Sequence, residues 1–239
     1  MARALATGWG EPVLCTDSGS GRAQALAADL GGEALSSNEE LAQRADVVIL
    51  CHKPGQLEAV AETVAPHAKA VVSVLARRTV AELESAYGGV PVVRVEPNTP
   101  VAVGRGVCTM AASGGTPELR AQVRELFGRV GAVVEVPEPL MAVAAGCSAV
   151  GPAYYALVAE AWIDAAVRRG LPALIAQQLV VGAMGGTAAL LESRGHDTLA
   201  LRRGVTSPGG TTARGLAALE RGGVRAAFAE ALDDVVDFA

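Results

Sequence analysis

Up to Val136 the chain alternates short β-branched runs with amphipathic stretches, and from Pro137 onward no β pattern occurs. That change of period constrains the fold more than any other feature. Strands alternating with helices imply a parallel sheet with crossover helices. The remainder must pack as helices, on one another or on another chain. Strands are expected at Pro12 to Thr16, Asp46 to Cys51, Ala70 to Leu75, Val90 to Arg94, Gly106 to Ala112 and Ala132 to Val136. Helices are expected at Arg22 to Leu30, closed by Gly31-Gly32, and at Ser37 to Arg44, opened by Ser-Ser-Asn capping chemistry. Three more follow at Leu57 to Val64, Val80 to Ser85 and Pro117 to Gly128. Helix breaks are expected at Gly170-Leu171-Pro172, around Arg194-Gly195 and at Ser207-Pro208-Gly209-Gly210. The reading is an α/β domain over residues 1–136 followed by an all-helical domain over residues 137–239.

The helical part contains two runs without a charge, Pro139 to Ala159 and Leu171 to Leu191, each long enough in principle to cross a bilayer. Both are rich in Gly and Ala, the second holds Gln177 and Gln178, and the segment between them carries Glu160, Asp164, Arg168 and Arg169. A helix apolar on all sides lies either in lipid or in a large core. Burial between copies of this chain is the reading adopted, with Gly182, Gly185 and Gly186 allowing close helix approach; no membrane partner is expected. Aromatic residues are only 3% of the chain, so Ala, Val and Leu must build the core. A net charge of −5 without a basic run gives no reason to expect nucleic acid. Cys15, Cys51, Cys108 and Cys147 are widely spaced, as are His52, His67 and His196, which argues against a disulfide framework or a metal site. With no signal-peptide pattern at the N-terminus, a reducing cytoplasm is expected.

The chemistry concentrates in Val205-Thr206-Ser207-Pro208-Gly209-Gly210-Thr211-Thr212. Two glycines let backbone N–H groups face a ligand without a Cβ in the way. Thr211 or Thr212 then falls in the first turn of a helix, whose free N–H groups and dipole suit a carboxylate. An ordinary capped helix start would use the same residue types. Further motifs precede it in order: Asp46-Val47-Val48-Ile49-Leu50 leading to Lys53-Pro54, then Glu96-Pro97-Asn98-Thr99-Pro100, then Gly151-Pro152-Ala153-Tyr154. Together with Leu219-Glu220 they resemble the pattern of pyrroline-5-carboxylate reductases, from Met1 to about Asp233.

The resemblance implies a Rossmann-like domain, a helical dimerisation domain, and hydride transfer from NADPH or NADH to the C=N carbon of a cyclic imino acid, giving L-proline. It implies that Ser207, Gly209, Gly210 and Thr211 hold the substrate carboxylate and that Thr212 hydrogen-bonds the ring nitrogen. Lys53, Pro54, Asn98, Thr99 and Pro100 would line the nicotinamide end of the cofactor cleft. Asp17, at the end of the first strand, would meet the adenosine ribose, which favours NADH, while Ser18, Ser20 and Arg22 could hold a 2′-phosphate; an Asp-Ser-Gly turn is the plain alternative. A homodimer or larger homo-oligomer is expected.

Several positions depart from the family pattern. Glu96 stands where Met is usual, Val150 where a Ser is usual, and Ala142 and Ala145 where acidic and Thr side chains are usual. Arg77 replaces the Gly of an Ala-Gly pair, and Asp197-Thr198 replaces a His-Pro pair. The chain opens on what resembles the family's first helix, without the preceding strand and glycine turn that cradle a pyrophosphate. That start is read as an internal methionine taken for the initiator. A chain beginning there is expected to hold a dinucleotide weakly. These departures leave open a related reductase of another imino or keto acid, or a non-catalytic carboxylate-binding dimer that has lost cofactor use.

Overall fold

The computed structural model describes residues 1–238. It divides into two compact units, Met1–Pro152, with which Phe238 packs, and Ala153–Asp237.

The first unit begins with α1 (Ala2–Trp9), β1 (Leu14–Cys15), α2 (Arg22–Leu30), β2 (Glu33–Ala34), α3 (Asn38–Arg44) and β3 (Val48–Leu50). It continues through α4 (Leu57–Val64), β4 (Val71–Ser73), α5 (Val80–Tyr87), β5 (Val92–Pro97), β6 (Gly106–Ala111), α6 (Pro117–Gly128), β7 (Gly131–Val136) and α7 (Met141–Ser148). Local chemistry accounts for most boundaries. Ser37 Oγ accepts from Glu40 N at 3.1 Å at the start of α3, which carries acids in its first turn and Arg44 in its last. Thr79 and Glu82 form a reciprocal capping box on α5, at 3.2 and 2.7 Å. Thr116 caps α6 ahead of Pro117, whose fixed φ suits a first helical position.

Strands β3, β4 and β5 are parallel and buried on both faces, as near-continuous Val and Leu runs require. Their hydrogen-bonded sheet has the order β3-β4-β5-β6-β7, while β1 and β2 pair in parallel only with each other. The sheet is not wholly parallel as expected. Strand β6 runs antiparallel to β5, because the chain reverses through the single 3-10 turn Thr99–Val103 instead of crossing over through a helix. One face packs Leu5, Val93, Val95, Val101, Met110 and Phe127 together. The other packs Leu50, Leu57, Val71, Leu83, Tyr87 and Val92. Trp9 meets Phe127 edge-on at 5.7 Å between centroids and donates to the Leu126 carbonyl at 2.9 Å. Gly8 brings α1 against the 3-10 turn so closely that a Cβ there would lie 2.0 Å from the Val101 carbonyl oxygen.

The period changes after Val136 as the sequence implies, yet compact packing continues to Pro152. Glu138 is tied to β5 through Arg94, and Met141 is buried against Val80 and Ala111.

The helices that follow are α8 (Gly151–Arg168), α9 (Ala173–Ser193), α10 (Thr198–Gly204), α11 (Thr211–Arg221) and α12 (Val224–Phe238). The second unit is stripped of cover: α9 buries only Ala176 and Val180, and α11 and α12 bury no residue. Tyr155, Trp162, Leu174 and Leu179 are each more than half exposed, at 63, 58, 75 and 60%. The segment Glu138–Arg168 and helix α9 are apolar and long enough to cross a membrane by length and composition, with little of either buried.

Candidate active site

Strand β3 delivers Cys51 and His52 to its C-terminal end, where Lys53 and Pro54 start a 3-10 turn into α4. Pro54 sits at the first helical position, where its missing N–H costs nothing. Burial pushes the Cys51 thiol up to about 11, which rules out a thiolate at neutral pH. His52 Nδ1 lies 2.9 Å from the Lys53 carbonyl and so carries the proton. Its Nε2 is then a buried acceptor with no partner among the described residues. An open acceptor at the carboxyl end of a parallel strand fits the place where this fold seats a dinucleotide. His52 was not among the sequence candidates. The only signal for it was a polar residue directly following a buried strand.

The second segment is the reversal after β5. Asn98 is 7% exposed, and its amide is committed to the protein. Oδ1 accepts from Val107 N at 2.8 Å and Nδ2 donates to the Ser148 carbonyl at 3.2 Å. It therefore staples β5 to β6 and to the end of α7. Thr99 is exposed and Pro100 half-buried, so the 3-10 turn presents these two residues.

Beneath them lies a buried ion cluster. Arg94 Nη2 pairs with Glu96 Oε1 at 2.5 Å, and Nη1 pairs with Glu138 Oε1 at 2.6 Å. Glu138 also accepts from Val80 N at 3.1 Å, in the first turn of α5. Glu96, a departure from the family pattern, thus has a partner in place. The pairing was not anticipated, although an arginine inside Val92-Val93-Arg94-Val95 was a visible hint. Arg94 Nε and Glu138 Oε2 remain buried without partners among the described residues.

Asp17 sits in a loop that leads into α2. Its Oδ1 accepts from Gly19 N at 2.7 Å and Ser20 N at 3.0 Å. Its Oδ2 accepts from Ser20 Oγ at 3.0 Å and Ala23 N at 2.8 Å. The Ala23 N–H, aided by Ser20 and Gly19, holds this carboxyl down at about 2. Four bonds fill the accepting capacity of a carboxylate, so Asp17 is occupied in building the loop, as the Asp-Ser-Gly turn reading has it.

In the second unit, Gly209 takes φ 71°, the left-handed conformation glycine adopts without penalty. Gly210 N donates to the Ser207 carbonyl at 3.1 Å. A Cβ on Gly210 would fall 2.4 Å from Ser207 Oγ, so the turn is closed around that hydroxyl. Gly210 is the N-cap residue of α11, and no side chain caps the helix. The structure thus brings Ser207, Gly209, Gly210, Thr211 and Thr212 together around uncapped first-turn N–H groups, with both threonines exposed. Elsewhere Asp197 Oδ1 accepts from Ala200 N at 2.8 Å, so this departure serves as the cap of α10. Val150 marks the break between α7 and α8; nothing else in the structure explains it.

Known proteins resemble this chain over most of its length. Residues 138–239 match the family described as pyrroline-5-carboxylate reductase dimerisation, and residues 1–77 match the family described as NADP oxidoreductase, coenzyme F420-dependent. A pyrroline-5-carboxylate reductase of Corynebacterium melassecola is 37% identical over 233 residues, covering 94% of this chain and 86% of that protein. One from Synechocystis is 39% identical over 198 residues, covering 82% and 74%. Among solved structures, a pyrroline-5-carboxylate reductase of Coxiella burnetii superposes with a TM-score of 0.88 at 28% identity, covering 99% of this chain and 92% of that one. The Plasmodium falciparum pyrroline carboxylate reductase with NADP bound does so with a TM-score of 0.86 at 26% identity, covering 98% and 91%.

Proposed function

The chain belongs to the pyrroline-5-carboxylate reductase family and is an NAD(P)H-dependent oxidoreductase acting on pyrroline-5-carboxylate, and from that premise we propose how its residues divide the work. When bound, the reduced nicotinamide supplies a hydride to the C=N carbon. The protein's tasks are to hold the carboxylate, to present one face of the ring and to exclude water. No strong acid is needed if the imine arrives protonated.

Ser207, Gly209, Gly210 and Thr211 hold the carboxylate, and Thr212 receives a hydrogen bond from the protonated ring nitrogen. The observation that carries this is the uncapped start of α11, which follows a glycine turn and has Thr211 and Thr212 exposed in its first turn. Lys53, Pro54, Thr99 and Pro100 line the nicotinamide end of the cofactor cleft, and Asn98 acts there by fixing the turn. His52 Nε2 offers an acceptor beside them. Asp17 shapes the adenosine loop. With its carboxylate filled, Ser18 and Arg22 are left to meet a 2′-phosphate, which favours NADPH.

The helical segment is a dimerisation unit, and the protein forms a homo-oligomer acting on a small molecule. We assign residues 1–136 to the cofactor and residues 137–239 to assembly and substrate. The bare faces of α8 and α9 meet a second copy and not lipid. A net charge of −5 offers nothing to nucleic acid, and four free cysteines suit the cytoplasm.

Thr212→Val tests the seat. Losing one hydrogen bond to a charged group is worth about 1.5–3 kcal/mol, or about 10- to 150-fold in turnover with pyrroline-5-carboxylate. Assembly and NADPH affinity should stay as in the parent. Full activity in Thr212→Val would remove Thr212 from the ring nitrogen.

A further inference from the structure

The departure at Arg77 finds no use in the roles above. It stands in a loop with Ala76 and Arg78 at the carboxyl end of β4, facing Pro54 and Gly55 at the end of β3 across a hollow of about 340 Å³. Its φ is 60°, a left-handed conformation a non-glycine residue adopts at a cost. Arg78 forms a fixed wall: Nε and Nη2 donate to the Pro54 carbonyl at 3.1 and 2.9 Å, and Nη1 pairs with Glu82 at 3.1 Å. Arg77 is far less committed. Nη1 donates to the Phe238 carbonyl at 3.2 Å and the guanidinium lies 4.7 Å from that ring's centroid. Its remaining N–H groups have no acceptor among the described residues. Lys53 is exposed at the head of the facing loop.

We propose that the hollow between the ends of β3 and β4 is an oxyanion seat, in which Arg77 and Lys53 hold a phosphate or carboxylate group of a bound small molecule. Three observations converge on it. Arg77 and Arg78 line one side of the hollow, and exposed Lys53 directly precedes Pro54 on the other, on a chain with net charge −5. A strained backbone position keeps a guanidinium where glycine would relieve the strain. The hollow opens at the carboxyl ends of adjacent parallel strands, where open α/β sheets receive ligands. Its volume is at the small end of ligand pockets, enough for a phosphate group or a small carboxylate. An arginine fork matches either anion in two-point geometry.

The seat deepens the reductase reading and rests on it for the identity of the ligand, so its test needs a probe independent of turnover. Inorganic pyrophosphate is titrated calorimetrically into the full-length protein, its Arg77→Gly and Arg77→Lys variants, and Lys53→Ala. Glycine is at home at this φ, so Arg77→Gly should fold, which circular dichroism checks. Arg77→Gly is expected to weaken pyrophosphate binding by about ten-fold or more. Arg77→Lys, which keeps the charge and loses the fork, should fall between. Steady-state kinetics then separates the sources. A raised KM for NADPH alone marks a cofactor phosphate, and a raised KM for pyrroline-5-carboxylate alone marks the substrate carboxylate. Folded variants in which pyrophosphate affinity and both KM values stay within about two-fold of the parent would overturn the seat. A parent without turnover on pyrroline-5-carboxylate would instead count against the reductase reading, leaving the calorimetry to decide the seat.

Discussion

Replacing Arg94 with methionine should expose how much the buried ion cluster costs and contributes. Arg94 and Glu96 have side chains 7 and 9% exposed, while Glu138 is 24% exposed and keeps the Val80 N–H. In Arg94→Met, Glu96 is the carboxylate left stranded. Breaking a buried pair by removing one partner costs about 3–5 kcal/mol. That is the loss expected of Arg94→Met at pH 7. In Arg94→Met/Glu96→Met no carboxylate is stranded at that position, and most of the loss should return. Glu96→Met alone leaves Arg94 paired with Glu138 and should change stability by about 1 kcal/mol or less, since buried pairs often match apolar replacements. Denaturant unfolding of the four proteins at pH 7, at one protein concentration, measures every corner. An Arg94→Met deficit below about 1 kcal/mol, or a double variant no better than Arg94→Met, would refute this account of the cluster.

Two other predictions concern one residue in each unit. The Asp17 carboxyl is held at about 2, below its unfolded value, so its stabilisation is complete above that unfolded value and is lost as pH falls through about 2. Asp17→Asn should flatten the acid limb of the stability curve between roughly pH 4 and 2; an unchanged slope would show that the loop does not depend on the charge. Leu179, 60% exposed on α9, should lie in the interface between copies. Leu179→Asp should shift sedimentation toward monomer and lower the melting temperature, and an unaltered assembly would move the interface elsewhere.

Much of this was legible because it is local. Helix α2 ends at Gly31 and α6 opens on Thr116 and Pro117, where those residues say they should. The Ser207–Gly210 turn declares itself through Pro-Gly-Gly. What was missed depends on distant partners. Strand β2 is two residues long and exists through its ladder with β1. The direction of β6 is decided by the shortness of the Thr99–Val103 turn, and strand patterning carries no information about direction. The break between α7 and α8 carries no signal in Ala149-Val150 themselves. Asp17 and Asn98 were legible as site residues by type, but the competition of backbone N–H groups for their oxygens appears only once the chain is folded. Glu96 looked like a stray charge because its partner, two residues away on the same strand face, is matched by Glu138 from a segment 42 positions later.

Gly8 carries a consequence for the order in which this protein assembles. It lets α1 rest on the carbonyl of Val101, more than ninety positions later in the chain. That contact cannot form until β5 has turned into β6, so α1 must wait unanchored while most of the sheet condenses, a long-range closure of the kind that slows folding. The same dependence runs in reverse in the native protein. Opening of the Thr99–Val103 turn takes away one support of α1, beside the Trp9 contacts with Leu126 and Phe127, and should raise hydrogen exchange of the α1 amides.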